Sequence, residues 1–166
     1  TLPDNLAVDI IAPVETLAAP NPDFLVRTAL ENPTGGVSLD DFHFARSAVI
    51  AINDKTRPVP HGRLLPPLLE ALESIGLAPE NITLLIATGT HPPMQESEFL
   101  SIVPPEILDR YPVICHDADD EASLSYLGET SRGTPVWVNT NYLQADLRLV
   151  VGNIEPHQFQ GFSGGV

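Results

Sequence analysis

Residues 47–53 read SAVIAIN, and Asp54-Lys55-Thr56-Arg57 follows at once. The run is short, apolar and rich in β-branched side chains, the composition of a strand buried on both faces. Ile82–Ala87 (ITLLIA) and Leu147–Val151 (LRLVV) repeat it, and PVIC at 112–115 is a shorter version. Continuous apolar strands, as opposed to alternating ones, indicate a parallel sheet covered on both sides. Between the first two runs lies an apolar helix face of Leu65, Leu68, Leu69, Leu72 and Ile75, stopped by Gly76. Pro66-Pro67 place the start of its regular part near themselves, because a proline inside a helix removes a hydrogen bond. Strands alternating with helices predict an α/β fold, a three-layer Rossmann-like domain with a mostly parallel sheet.

Working outward, residues 1–21 read as extended, with a strand candidate over 7–11. Pro22-Asp23 opens a short helix through Leu30, ended by Asn32-Pro33 and Gly35-Gly36. Residues 95–103 and 106–110 read as short helices around Pro104-Pro105. Val136-Trp137-Val138 reads as a short strand, with Trp137 as core, and a helical turn is expected over 142–145.

The chain has 166 residues, 43% of them apolar and 18% charged, so it can bury a core and disorder is not expected. Eight basic residues against 22 acidic ones give a net charge of −14. That argues against a nucleic-acid backbone or an anionic membrane surface as partner. No apolar run approaches the length of a membrane-spanning helix, and no secretory leader is visible. Cys115 is the only cysteine, so an internal disulfide or a cysteine-based zinc site is excluded. These features predict a cytoplasmic protein. The start at Thr1 and the end at Gly164-Gly165-Val166, directly after a glycine-rich turn, lead us to expect a longer parent protein.

Each buried strand runs into a polar cluster. SAVIAIN leads to Asp54–Arg57, ITLLIA to Thr88-Gly89-Thr90-His91, PVIC to His116-Asp117, and LRLVV to the 152–157 segment GNIEPH. Ligands of open parallel α/β sheets bind at the carboxyl ends of the strands, so four such clusters predict one shared crevice. Arg57 can grip a carboxylate or phosphate through two parallel hydrogen bonds, unless it only pairs with Asp54. His91 and His157, each in a glycine- or proline-marked turn, can act as paired acid and base. Ser163-Gly164-Gly165 can cradle an anion with backbone N–H groups. No P-loop and no G-x-G-x-x-G pattern is present. His116 with Asp117, Asp119, Asp120 and Glu121 reads as a solvated acidic loop, with His116 a lesser site candidate. His43 and His61 are assigned to surface or loop.

Taken together, INDKTRPVP (52–60), ATGTHPPM (87–94), HDAD (116–119), RGTPVWVN (132–139) and GNIEPHQFQGFSGG (152–165) resemble the nickel-pincer-nucleotide lactate racemases and related 2-hydroxyacid racemases and epimerases. LPDNL at 2–6 and the stretch 21–33 are also similar to the amino-terminal region of that family. The resemblance implies that residues 1–166 form an amino-terminal α/β domain whose carboxy-terminal domain lies outside this chain. It implies a cofactor, a pyridinium mononucleotide holding nickel in an S–C–S pincer, that accepts a hydride from substrate C2 while a histidine removes the hydroxyl proton. A planar 2-keto acid then regains hydride on either face. By motif position, His91 and His157 are the implied general acid/base pair, and Arg57 would orient the substrate carboxylate. Asp54, Lys55, Thr56, Arg57, Ser163, Gly164 and Gly165 would line the cofactor. The implied anchoring lysine and nickel-binding histidine would lie downstream, so no metal ligand is assigned here and this chain alone is expected to be inactive. The implied partners are a small 2-hydroxy acid and the missing domain.

Two other readings compete. One is a non-catalytic module that holds an anionic metabolite through Arg57 and the glycine turn. The other is a metal-dependent hydrolase using His91, His116 and His157.

Overall fold

The computed structural model describes residues 17–157 and 161–163, together with Asp9, Ala12 and Val14. Apart from Asp9, the strand expected over 7–11 lies outside the described residues, as do the turn residues Gly164 and Gly165.

The chain forms α1 (Pro22–Glu31), β1 (Ala48–Asn53), α2 (His61–Ser74), β2 (Ile82–Ala87), α3 (Pro105–Leu108), β3 (Val113–Cys115), β4 (Leu124–Glu129), β5 (Pro135–Asn139), α4 (Thr140–Gln144), β6 (Leu147–Val151), β7 (Glu155–His157) and β8 (Gly161–Ser163). The four expected apolar runs make one parallel sheet in the order β3-β2-β1-β6. The fold is therefore α/β, as the alternation of elements predicts. The remaining strands pair apart from that sheet, as two antiparallel ribbons, β4 with β5 and β7 with β8.

The two sheet faces are covered unequally. Ala48, Ile50 and Ile52 of β1 and Ile82, Leu84 and Ile86 of β2 point one way, each at most 1% exposed. Over them lie Leu65, Leu68, Leu69 and Leu72 of α2, Ile107 of α3 and Leu30 of α1. Burial of each such side chain contributes roughly 1.5–3 kcal/mol, which makes this face the main core. The other face has a smaller cluster of Val49, Leu85 and Ala145, with Tyr142 of α4 and Ile114 against it. Trp137 is 54% exposed and Val150 39%. The expectation that Trp137 is core is thus corrected. β5 belongs to a ribbon beside the sheet, so its side chains do not inherit the sheet's burial.

The start of α2 is a second correction. The helix begins at His61, a full turn before Pro66 and Pro67, and both prolines lie inside it. An interior proline costs about 3 kcal/mol. Here the helix keeps His61, Leu65, Pro67, Leu68, Leu69 and Leu72 buried, and that packing offsets the missing hydrogen bonds. Gly76, at φ +105°, ends the element as expected, its N–H donating to the Glu73 carbonyl. The 95–103 stretch forms only a 3-10 turn over Glu96–Ser101.

Candidate functional site

In-step pairing creates the site. β1 and β2 align from Ala48↔Ile82 to Asn53↔Ala87, so the residues that follow both strands emerge at one rim. Asp54 is the first residue beyond β1, and Thr88 the first beyond β2. The Thr88–His91 turn closes through the His91 N–H, which donates to the Thr88 carbonyl at 3.0 Å, with Gly89 at φ +61° supplying the left-handed residue. That turn carries the His91 ring back over the end of β1.

There His91 Nδ1 lies 2.8 Å from Asp54 Oδ2. The Asp54 carboxylate is 5% exposed and the His91 side chain 49%. The other carboxylate oxygen, Oδ1, accepts both the Thr56 N–H (2.9 Å) and the Thr56 hydroxyl (2.6 Å). Burial pushes the Asp54 carboxyl up. The hydrogen bonds from Thr56 and His91, with the adjacent imidazole, outweigh it and hold the group below the ordinary carboxylate value. A carboxylate only accepts, so the shared proton sits on His91 Nδ1 and the lone pair of the neutral ring is left on Nε2.

Arg57 does not pair with Asp54. Its guanidinium donates only to the Thr56 carbonyl, at 3.3 Å, and makes no ion pair among the described residues. In a chain of charge −14, this is a cation open to an anionic ligand. Lys55 is engaged differently, in an ion pair with Glu98 that ties the loop to the 95–104 segment. Asp54, Lys55, Arg57 and His61 line a hollow of about 500 Å³ on that side of the rim. A second, of about 510 Å³, opens on the thinly covered sheet face between Asn53, Ala87, Gly89, His116, Trp137 and Tyr142. Both volumes suit a small ligand.

The other strand-end clusters fall as follows. The Thr88 hydroxyl donates to the His116 carbonyl at 2.9 Å, and the His116 N–H to that of Ile86 at 2.9 Å. The β3 cluster therefore joins the same rim. His157 stands on β7, in the ribbon that follows β6, opposite Gly161 of β8, while Ser163 pairs with Glu155. His43 is exposed as expected, whereas His61 is 2% exposed, a correction to its surface assignment. Its Nδ1 hydrogen-bonds the Ile102 carbonyl at 3.1 Å. The contact that sequence reasoning missed is Asp54 with His91, which stand 37 residues apart. The sequence offers only an indirect signal, that both residues leave the carboxyl ends of buried strands; the register that joins them appears only in the structure.

Over residues 1–166 the chain matches the family model described as the lactate racemase N-terminal domain. The chain belongs to that family. It is 34% identical over 142 residues to a lactate racemase of Lactiplantibacillus plantarum, covering 84% of this chain and 33% of that protein. It is 33% identical over 142 residues to a lactate racemase of Thermoanaerobacterium thermosaccharolyticum, covering 85% and 33%. The solved structure of the lactate racemase apoprotein from T. thermosaccharolyticum superposes with a TM-score of 0.78 at 32% identity, covering 86% of this chain and 34% of that one. The chain thus spans about a third of the length of the curated relatives that it matches. Among the described residues of this lactate racemase N-terminal domain, no three His, Cys, Asp or Glu side chains form a group that could hold a metal ion. The hydrolytic reading therefore finds no ligand set there. No helix among them is long and apolar enough to cross a membrane.

Proposed function

We propose that the chain is the amino-terminal part of a racemase or epimerase of lactate or a related 2-hydroxy acid, acting through a 2-keto acid. The observation that carries this reading is the 2.8 Å His91–Asp54 pair, with Arg57 on the same loop and in no ion pair among the described residues, at the strand-end rim of a lactate racemase N-terminal domain. Arg57 holds the substrate carboxylate. His91 Nε2 takes the proton of the C2 hydroxyl, and the Asp54 carboxylate stabilises the imidazolium that forms. His157 serves the opposite face of the planar intermediate, so that the returning proton can come from either side. Because C2 loses a hydride and not a proton, no carbanion builds up next to the substrate carboxylate.

The cofactor in this reading is the nickel-pincer mononucleotide, which when bound supplies the acceptor and donor for the hydride of C2. Arg57 suits its anionic part, whereas the described residues present no ligand set for nickel. The metal ligands and the covalent anchor are then expected from the rest of the polypeptide, which is the second partner of this domain. Nucleic acid and membrane have no place in this scheme, and the protein is expected in the cytoplasm.

The test is chiral analysis of the complete enzyme after cofactor loading, with one enantiomer of lactate supplied. The expected result is both enantiomers. A hydroxy acid that binds but never interconverts, with the cofactor confirmed by mass, would leave only the non-catalytic anion-binding module.

A further inference from the structure

The His91–Asp54 pair works only if the carboxylate is kept from turning. A carboxyl group on its side chain is a broad, roughly two-fold rotor, so nothing intrinsic directs one oxygen at the ring. Here Oδ1 is fastened twice by a single residue, through the Thr56 N–H at 2.9 Å and the Thr56 hydroxyl at 2.6 Å. Both donors lie two residues along the chain, in the turn closed by the Arg57 N–H on the Asp54 carbonyl. Oδ2 is then left for His91 Nδ1. The Thr56 oxygen is itself 3.4 Å from Nδ1, beyond the 2.8 Å contact that Asp54 makes, so Thr56 reaches the ring mainly through the carboxylate.

We infer that Thr56 is a positioning residue, whose hydroxyl sets the tautomer of His91 by locking the Asp54 carboxylate. With Oδ1 fixed, the neutral ring carries its proton on Nδ1 and presents the Nε2 lone pair outward. Without the hydroxyl, one backbone N–H is left to hold Oδ1, the carboxylate swings, and the ring samples the other tautomer, in which Nε2 bears the proton and cannot act as a base. The role of the tautomer in catalysis rests on the racemase reading given above, whereas the lock itself does not.

Thr56 is exposed, so valine, which keeps the shape and the backbone N–H but not the hydroxyl, will be accommodated. In the complete apoenzyme labelled with 15N-histidine, with the His91 resonances assigned by His91→Gln, the neutral wild-type ring should be protonated at Nδ1. Thr56→Val should move it towards the Nε2-protonated form, and Thr56→Ser should keep the wild-type signature. In the loaded enzyme, Thr56→Val should lower kcat for racemisation about tenfold and Thr56→Ser should restore most of it. An unchanged ring signature in Thr56→Val, or a serine variant as altered as the valine one, would overturn the inference. Should the wild-type enzyme fail to interconvert enantiomers, the racemase reading falls, and the ring signature still decides the part played by Thr56.

Discussion

His61 and His91 stand in two regions that use the same hydrogen bond for opposite ends. Each ring bonds through Nδ1. His61 meets the Ile102 carbonyl at 3.1 Å under the start of α2 and is 2% exposed. His91 meets the Asp54 carboxylate at 2.8 Å at the sheet rim, its side chain 49% exposed. A carbonyl can fix a ring but offers little to a positive charge, and burial adds a further penalty, pushing the His61 imidazole below its ordinary value of 6.5 despite that hydrogen bond. A carboxylate fixes the ring through an anion that is itself buried. Open access on one edge and a buried anion on the other set His91 apart from His61 and fit it for the proton transfer proposed above.

The largest effect expected from this contrast is on rate. His91→Ala in the loaded, complete enzyme should lower racemisation by about 10²–10⁴-fold, while urea unfolding of this chain shifts by about 1 kcal/mol, the hydrogen bond lost at Asp54. Chiral analysis and the unfolding midpoint together check it, and wild-type turnover in this variant would remove the contrast. The mirror experiment is His61→Ala. It should destabilise the chain by about 2–3 kcal/mol through a lost buried hydrogen bond and an unfilled space. Turnover per folded molecule should fall less than in His91→Ala.

Arg57→Ala sharpens the rim side of the comparison. An exposed guanidinium that meets only a backbone carbonyl contributes through its ligand, so KM for the hydroxy acid should rise about tenfold with a smaller change in kcat. Steady-state kinetics over a range of substrate concentrations will separate the two. The smallest effect is a slope with pH. The lowered value of His61 means that the unfolded chain takes up a proton first as pH falls below about 6.5. Stability should therefore decline as the pH drops from 7.5 towards the folded-state value. His61→Gln should remove that component of the slope, as read from urea midpoints at several pH values.

Much of the frame is legible in the sequence because the buried strands are continuous apolar runs with polar ends. SAVIAIN, ITLLIA and LRLVV appear as β1, β2 and β6, and their exits hold Asp54 and His91. Features set by partners at long range are not legible. Pro66 and Pro67 argue locally against a helix that tertiary packing then extends back to His61. β4 has no long apolar run to announce it, because its partner β5 is what makes it a strand. Trp137 looks like core by composition, yet it sits on that ribbon and stays half open. The Asp54–His91 contact has no spacing signature, since it depends on the parallel register and not on distance along the chain.

That register has a consequence for how such a domain can diverge. One residue added to β1 would advance its exit by about 3.3 Å and turn the following side chain to the opposite side of the sheet. Asp54 would then part from the His91 imidazole, even with both residues still present in the sequence. The two strands thus act as rulers for the Asp54–His91 contact, and their lengths cannot drift independently without breaking it.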